Sequence, residues 1–314
     1  MLIFIAALGI GFLLLMWSAN SFADQALLLG QYFNIPKIII GIVILGFGTS
    51  APELLVSSIS AWQGNPGLAI GNAVGSNITN ILLVLGATLC VLPVIVSAQT
   101  LKHHFLLLLG ATFLFSVLII DHQLSFYDGV ILFVALIFSL YLLSNFGGQE
   151  TDIDCVTKTC QSIGRTSLGL MIALALLLLS SKLVVWGAVG VAQSLGISDI
   201  IIGLTIVALG TSLPELATCV ASALKKHSEL ALGNVMGSNI FNTLGVTSVA
   251  SLISTYSLPE IFYERDYPAM LIATVFLFTL ALIFLAKGAI PRVFGLVFLT
   301  GYFIYMYMIF LQAM

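Results

Sequence analysis

Gly48-Thr49-Ser50-Ala51-Pro52-Glu53-Leu54 and Gly210-Thr211-Ser212-Leu213-Pro214-Glu215-Leu216 are two copies of one heptapeptide, differing at a single position and set 162 residues apart. The match extends well beyond the heptapeptide. Residues 46–86 align with 208–248 at the same offset without a gap, and 19 of those 41 positions are identical. Gly71-Asn72 recurs as Gly233-Asn234, Gly75-Ser76-Asn77-Ile78 as Gly237-Ser238-Asn239-Ile240, and Asn80 as Asn242. Upstream, Ile38-Ile39-Ile40-Gly41 recurs as Ile200-Ile201-Ile202-Gly203. Self-similarity at a constant offset means that one structural unit is used twice.

Each copy is embedded in apolar sequence. Of 314 residues, 60% are hydrophobic and 7% charged, with a mean hydropathy of +1.16. Soluble domains carry about 25% charged residues, so this chain could not cover a water-facing surface. A membrane span takes about 20 apolar residues. Ten such runs are separable, at 2–20, 38–61, 68–93, 105–120, 127–145, 167–192, 200–223, 230–255, 268–286 and 292–312. Ala26-Leu27-Leu28-Leu29 leaves room for the first helix to continue toward Pro36. The expected fold is an all-α polytopic membrane protein with ten transmembrane helices. Its partner is the lipid bilayer. The net charge of −3 implies no partner, because most of the chain is in lipid; no nucleic acid, obligate protein partner or cofactor is expected. The first Lys is Lys37, so residues 1–20 read as a retained span and not as a cleaved signal. Cys90, Cys155, Cys160 and Cys219 do not have zinc-site spacing and read as free thiols.

Five runs fall in each copy, and an odd number inverts the second copy across the bilayer. The expected units are 1–146, a short cytoplasmic linker at 147–165, and 166–314. Loop charge supports inversion. Short cytoplasmic loops carry the excess of Lys and Arg. With both termini outside, the cytoplasmic loops hold Lys37, Lys102, Lys158, Arg165, Lys225, Lys226, Lys287 and Arg292, and the outer loops hold only Arg265. Equivalent loops also exchange charge: Lys37 aligns with Asp199, Lys102 with Glu264, and Gln63-Gly64 with Lys225-Lys226. Lys182, equivalent to Asn20, reads as a snorkelling side chain.

Ionisable residues inside a span are rare and usually functional. Glu53 and Glu215 are the two deep ones, at equivalent positions. Thr49, Ser50, Thr211 and Ser212 precede them by one turn, and Ser76, Asn77, Asn80, Ser238, Asn239 and Asn242 add further oxygens. Such a donor set suits a hard cation, which takes six to eight oxygens. Pro52 and Pro214 deprive the carbonyls of Gly48 and Gly210 of their helical partners. Interrupted helices at matching places in two halves mark a transporter's binding site. Gly71, Gly75, Gly233 and Gly237 have small-xxx-small spacing and read as close-packing positions. Trp17, Trp62 and Trp186 read as interfacial anchors.

The paired Gly-Thr-Ser-x-Pro-Glu and Gly-Ser-Asn-x-x-Asn motifs resemble those of the sodium/calcium exchanger family, within the calcium:cation antiporters, and most closely its compact prokaryotic members. The resemblance spans the whole chain. It implies an antiporter of the inner membrane, with Ca2+ and Na+ as transported ions. It also implies a core made by the second and third spans of each half, and a gating pair made by the first and sixth. By motif position it assigns Glu53 and Glu215 as central Ca2+ ligands with Thr49 and Thr211. Ser50, Ser76, Ser212 and Ser238 would complete Na+ sites, with backbone carbonyls near Gly46 and Ala208. Asn80 and Asn242 flank the centre. Asn242 stands where several relatives carry Asp, which leaves two formal negative charges and speaks against potassium dependence. The alternatives are a Ca2+/H+ antiporter of the same fold, an intramembrane carboxylate-dyad enzyme and a channel.

Overall fold

The computed structural model describes residues 1–145, 162–196 and 208–313. The helices are α1 (Leu2–Tyr32), α2 (Lys37–Thr49), α3 (Ala51–Trp62), α4 (Pro66–Val91), α5 (Thr100–Leu118), α6 (Phe126–Asn145), α7 (Ile163–Ser194), α8 (Ala208–Gly210), α9 (Leu213–Leu224), α10 (residues 228–253), α11 (Phe262–Lys287) and α12 (Val293–Ala313). Seven are individually long and apolar enough to cross a bilayer, and an eighth span results if α2 and α3 count as one segment bent by 42°. The bend has a local cause. Ser50 leaves helical geometry (φ −83°, ψ 6°), and Pro52 then sits in the first turn of α3, where its missing N–H costs nothing. Ser212 and Pro214 repeat the arrangement before α9.

Several expected boundaries shift. α1 does not stop at residue 20 but continues to Tyr32, because nothing between Ala19 and Gly30 breaks a helix and the continuation buries Phe22, Ala23, Ala26 and Gly30. The expected run 200–223 lies partly outside the described residues, and so do Lys158, Cys155, Cys160 and Asp199. Its described part is the short α8 and the 12-residue α9. The run at 230–255 is helical as α10, but protein surrounds nearly all of its first half. It is therefore free to carry Asn234, Ser238, Asn239 and Asn242. The chain is also not purely helical. Val94–Ile95 (β1) pairs antiparallel with Ala289–Ile290 (β4), and Gln123–Leu124 (β2) with Tyr256–Ser257 (β3).

The 162-residue offset reappears in the helices. α3 and α9 have equivalent ends, and so do the α-helical stretches Pro66–Thr79 and Ser228–Phe241. Both stretches then widen into π-helix, at Asn80–Leu85 and Asn242–Val246. Such bulges often occur at functional sites. α1 packs along α7, and the hydroxyls of the equivalent residues Ser18 and Ser180 lie 3.5 Å apart between them. α2 packs against the first half of α10 through glycines. A Cβ at Gly41 would lie 2.8 Å from the Cα of Gly233, and one at Gly46 would lie 2.7 Å from the Ser238 nitrogen. Gly233 and Gly237 are thus close-packing positions, as their spacing predicts. A Cβ added at Gly71 or Gly75 would meet no described neighbour within 4 Å. Trp17, Trp62, Trp186 and Lys182 are exposed, which suits anchoring and snorkelling.

Candidate functional site

Glu53 and Glu215 stand in the first turns of α3 and α9, and both are fully buried. Helix starts favour negative charge, so the breaks at Ser50 and Ser212 serve to place a carboxylate on a helix N-terminus deep in the protein. The site is built across the two copies. Ser50 from the first donates to Glu215 Oε1 of the second at 3.3 Å. Thr49 Oγ1 is 3.0 Å from the Leu45 carbonyl and 3.2 Å from Asn234 Oδ1, and donates to either. Ser238 Oγ donates to the Gly46 carbonyl at 3.1 Å and lies 3.5 Å from Thr49 Oγ1. Ser76 is buried.

Many oxygens here have no partner. Both oxygens of Glu53, Glu215 Oε2, Ser212 Oγ, Thr218 Oγ1 and the amide oxygens of Asn77, Asn80, Asn239 and Asn242 are buried and make no hydrogen bond among the described residues. An unpaired buried polar atom costs about 1–3 kcal/mol, and native proteins hold few. These oxygens are carried by α3, α4, α9, α10 and the turn before α9, and oxygen donors of this kind are what a hard cation takes. Asn80 and Asn242 are each the first residue of a π segment. Among the described residues no three His, Cys, Asp or Glu side chains come together, so the local negative charge is that of the glutamate pair.

Some predicted ligands are placed differently. The Gly46 carbonyl is already occupied, accepting from the Ser50 N–H at 3.2 Å and from Ser238. Thr211 is half-buried in the turn before α9, and Ala208 opens α8. Of the two carbonyls freed by proline, that of Gly210 accepts from the Ser181 hydroxyl of α7 at 3.0 Å.

Two further residues belong to the network. Asn72 donates to the Glu53 main-chain carbonyl at 3.3 Å and to Ser57 Oγ at 3.1 Å. Its equivalent Asn234 donates to Cys219 Sγ at 3.2 Å. Ser57 in turn donates to the Ala69 carbonyl, and Cys219 to that of Ala231. Cys219 therefore takes a serine's place in the second copy. Its alignment with Ser57 is the signal in the sequence that points to this.

A multi-span helical protein with paired buried carboxylates among unpaired oxygens belongs to the class of cation-handling membrane proteins. Comparison narrows the class. The family model described as sodium/calcium exchanger protein matches residues 3–145 and 166–311, and the chain belongs to that family of antiporters. It is 40% identical over 308 residues to the putative antiporter CaxA of Alkalimonas amylolytica, covering 96% of this chain and 97% of that one. It is 36% identical to the inner membrane protein YrbG of Escherichia coli, covering 88% and 87%. Among solved structures, the sodium-calcium exchanger NCX_Mj soaked with zero Na+ and Ca2+ superposes with a TM-score of 0.84 at 32% identity, covering 96% of this chain and 97% of that one. The chain is thus a multi-pass transporter and not an enzyme.

Proposed function

We propose that this protein exchanges Ca2+ for Na+ by alternating access at a site near the bilayer midplane, centred on Glu53 and Glu215. Thr49, Thr211, Ser50, Ser212, Ser76, Ser238, Asn80 and Asn242 surround the pair, with the carbonyls of Gly46 and Ala208. The observation that supports the reading is that Glu53 and Glu215 are both fully buried, with three of their four carboxyl oxygens unpaired among the described residues. Ten spans arranged as two inverted repeats, 1–146 and 166–314, bring the two glutamates together from opposite sides. Residues 147–165 form the cytoplasmic linker. Loop charge puts both termini outside. The name of YrbG supports the inner membrane of a prokaryote as the location.

The energetics give coupling. Two bare carboxylates buried together repel and are poorly solvated. One Ca2+ neutralises them, and so do several Na+ ions. The site therefore changes sides readily when filled and reluctantly when empty, which yields exchange in place of leak. If the Na+ ions together carry more charge than one Ca2+, the exchange is electrogenic.

The test is Ca2+ flux in proteoliposomes under separate Na+, H+ and K+ gradients. A Na+ gradient drives Ca2+ movement, and Glu53→Gln and Glu215→Gln each abolish it. Full activity in both variants would overturn the site. Uptake driven by a pH gradient without Na+ would make the protein a Ca2+/H+ antiporter.

A further inference from the structure

Lys225 lies at the C-terminal end of α9, the helix that begins beside Glu215. Its ammonium contacts Asp24 Oδ1 of α1 at 2.6 Å and the Asn20 main-chain carbonyl at 3.0 Å. Asn20 and Asp24 are four residues apart and share one face of α1. A single side chain at the end of one candidate ligand-bearing helix thus holds α1, which itself lies along α7. The cation also sits at a helix C-terminus, where positive charge is favoured.

The contact exists in one half only. The positions equivalent to Asn20, Asp24 and Lys225 are Lys182, Trp186 and Gln63. No ion pair of this kind can form there: the acid is replaced by an aromatic ring and the base by an amide. The helix ends of the two copies match closely, whereas this pair has no counterpart in the equivalent residues. In the orientation set by loop charge, Lys225 is at the cytoplasmic face.

We infer that Asp24 and Lys225 are positioning residues, forming a clamp at the cytoplasmic face that holds α1 against α9 and biases the exchanger toward one of its two access states. The inference rests on the alternating-access reading above. Neither side chain is a cation ligand. The pair is partly exposed, with 29% of the Lys225 side chain and 53% of the Asp24 side chain accessible. Exposed pairs are individually weak, so the clamp tunes an equilibrium and does not lock it. Apparent affinity at either face scales with the fraction of molecules open to that face. Releasing the clamp therefore changes the two apparent affinities in opposite directions. A general folding defect lowers transport at both faces alike.

The experiment measures the KM for Ca2+ separately at each face, in inside-out and right-side-out vesicles, for the full-length protein. Asp24→Asn and Lys225→Gln are each expected to shift the two KM values in opposite senses by about two- to fivefold. The exchanged pair Asp24→Lys with Lys225→Asp restores both values toward wild type, and Lys226→Gln changes neither. Unchanged KM values, parallel shifts at both faces, no restoration by the exchange, or an equal shift from Lys226→Gln would each overturn the clamp. Wild-type vesicles lacking Na+-driven Ca2+ flux would instead refute the transport reading itself.

Discussion

Asn239 donates a hydrogen bond to the main-chain carbonyl of Asn77 at 3.3 Å, and the two residues are 162 positions apart, the offset of the repeat. Equivalent residues touch in this way where the two copies meet. The same offset joins Ser18 and Ser180 between α1 and α7. The two copies are therefore interlocked, and the candidate site lies where side chains from one reach the other.

Ser50 is the hydroxyl that crosses to the opposite carboxylate. Hydrogen bonds to charged groups are worth about 1.5–3 kcal/mol, so Ser50→Ala is expected to raise the KM for Ca2+ by about tenfold or more. Ser212 makes no such bond among the described residues, and Ser212→Ala has the smaller effect. Flux titrations on the two variants decide the point, and equal losses would contradict it.

Asn80 and Asn242 are fully buried with no amide partner among the described residues. Removing an unsatisfied polar group costs little, so Asn80→Ala with Asn242→Ala should leave ion-free stability within about 1 kcal/mol of wild type. Stabilisation by bound cation is about 2.7 kcal/mol at a hundredfold excess over Kd, and most of it should disappear. Melting curves in detergent with and without Ca2+ measure both quantities.

Gly237 faces the backbone of Ile42, where an added Cβ would fall 2.6 Å from the Ile42 Cα. Gly237→Ala should therefore destabilise by about 1–3 kcal/mol through overpacking. Gly110, inside α5, has no described neighbour within 4 Å of such a Cβ, and Gly110→Ala should stabilise by about 0.5–1 kcal/mol. Thermal melts of the two variants should move in opposite directions.

Ser181 satisfies the carbonyl of Gly210, which Pro214 leaves without a helical donor. Ser181→Ala should cost about 1–3 kcal/mol by stranding that carbonyl. Alanine is the residue at the equivalent position 19, so the side chain itself is acceptable in this setting. A melting temperature unchanged from wild type would show that the Gly210 carbonyl has another donor.

Much of the candidate site is legible in the sequence. Glu53 and Glu215 stood out because charge deep in an apolar run has few structural excuses, and Pro52 and Pro214 marked the breaks beside them. Helix ends were less legible. α1 runs past residue 20 because Ser21, Asp24 and Gln25 interrupt apolarity without interrupting helix. α10 is read as a span like the others, and that protein surrounds its first half is not visible from apolar counting. The engagement of Gly46 by Ser238 left no mark in the sequence, because it depends on how closely α2 approaches α10.

The amino-acid sequence alone determined the duplication, the apolar segments, the buried carboxylates and the oxygen-rich positions around them. Each of these follows from local composition or from a constant offset, and neither needs knowledge of packing. Only the tertiary structure decided that Ser50 serves the Glu215 carboxylate and that Lys225 reaches Asp24. Those contacts join residues far apart in the chain, and an aligned repeat treats its two halves as interchangeable. Helix packing is what makes them unequal.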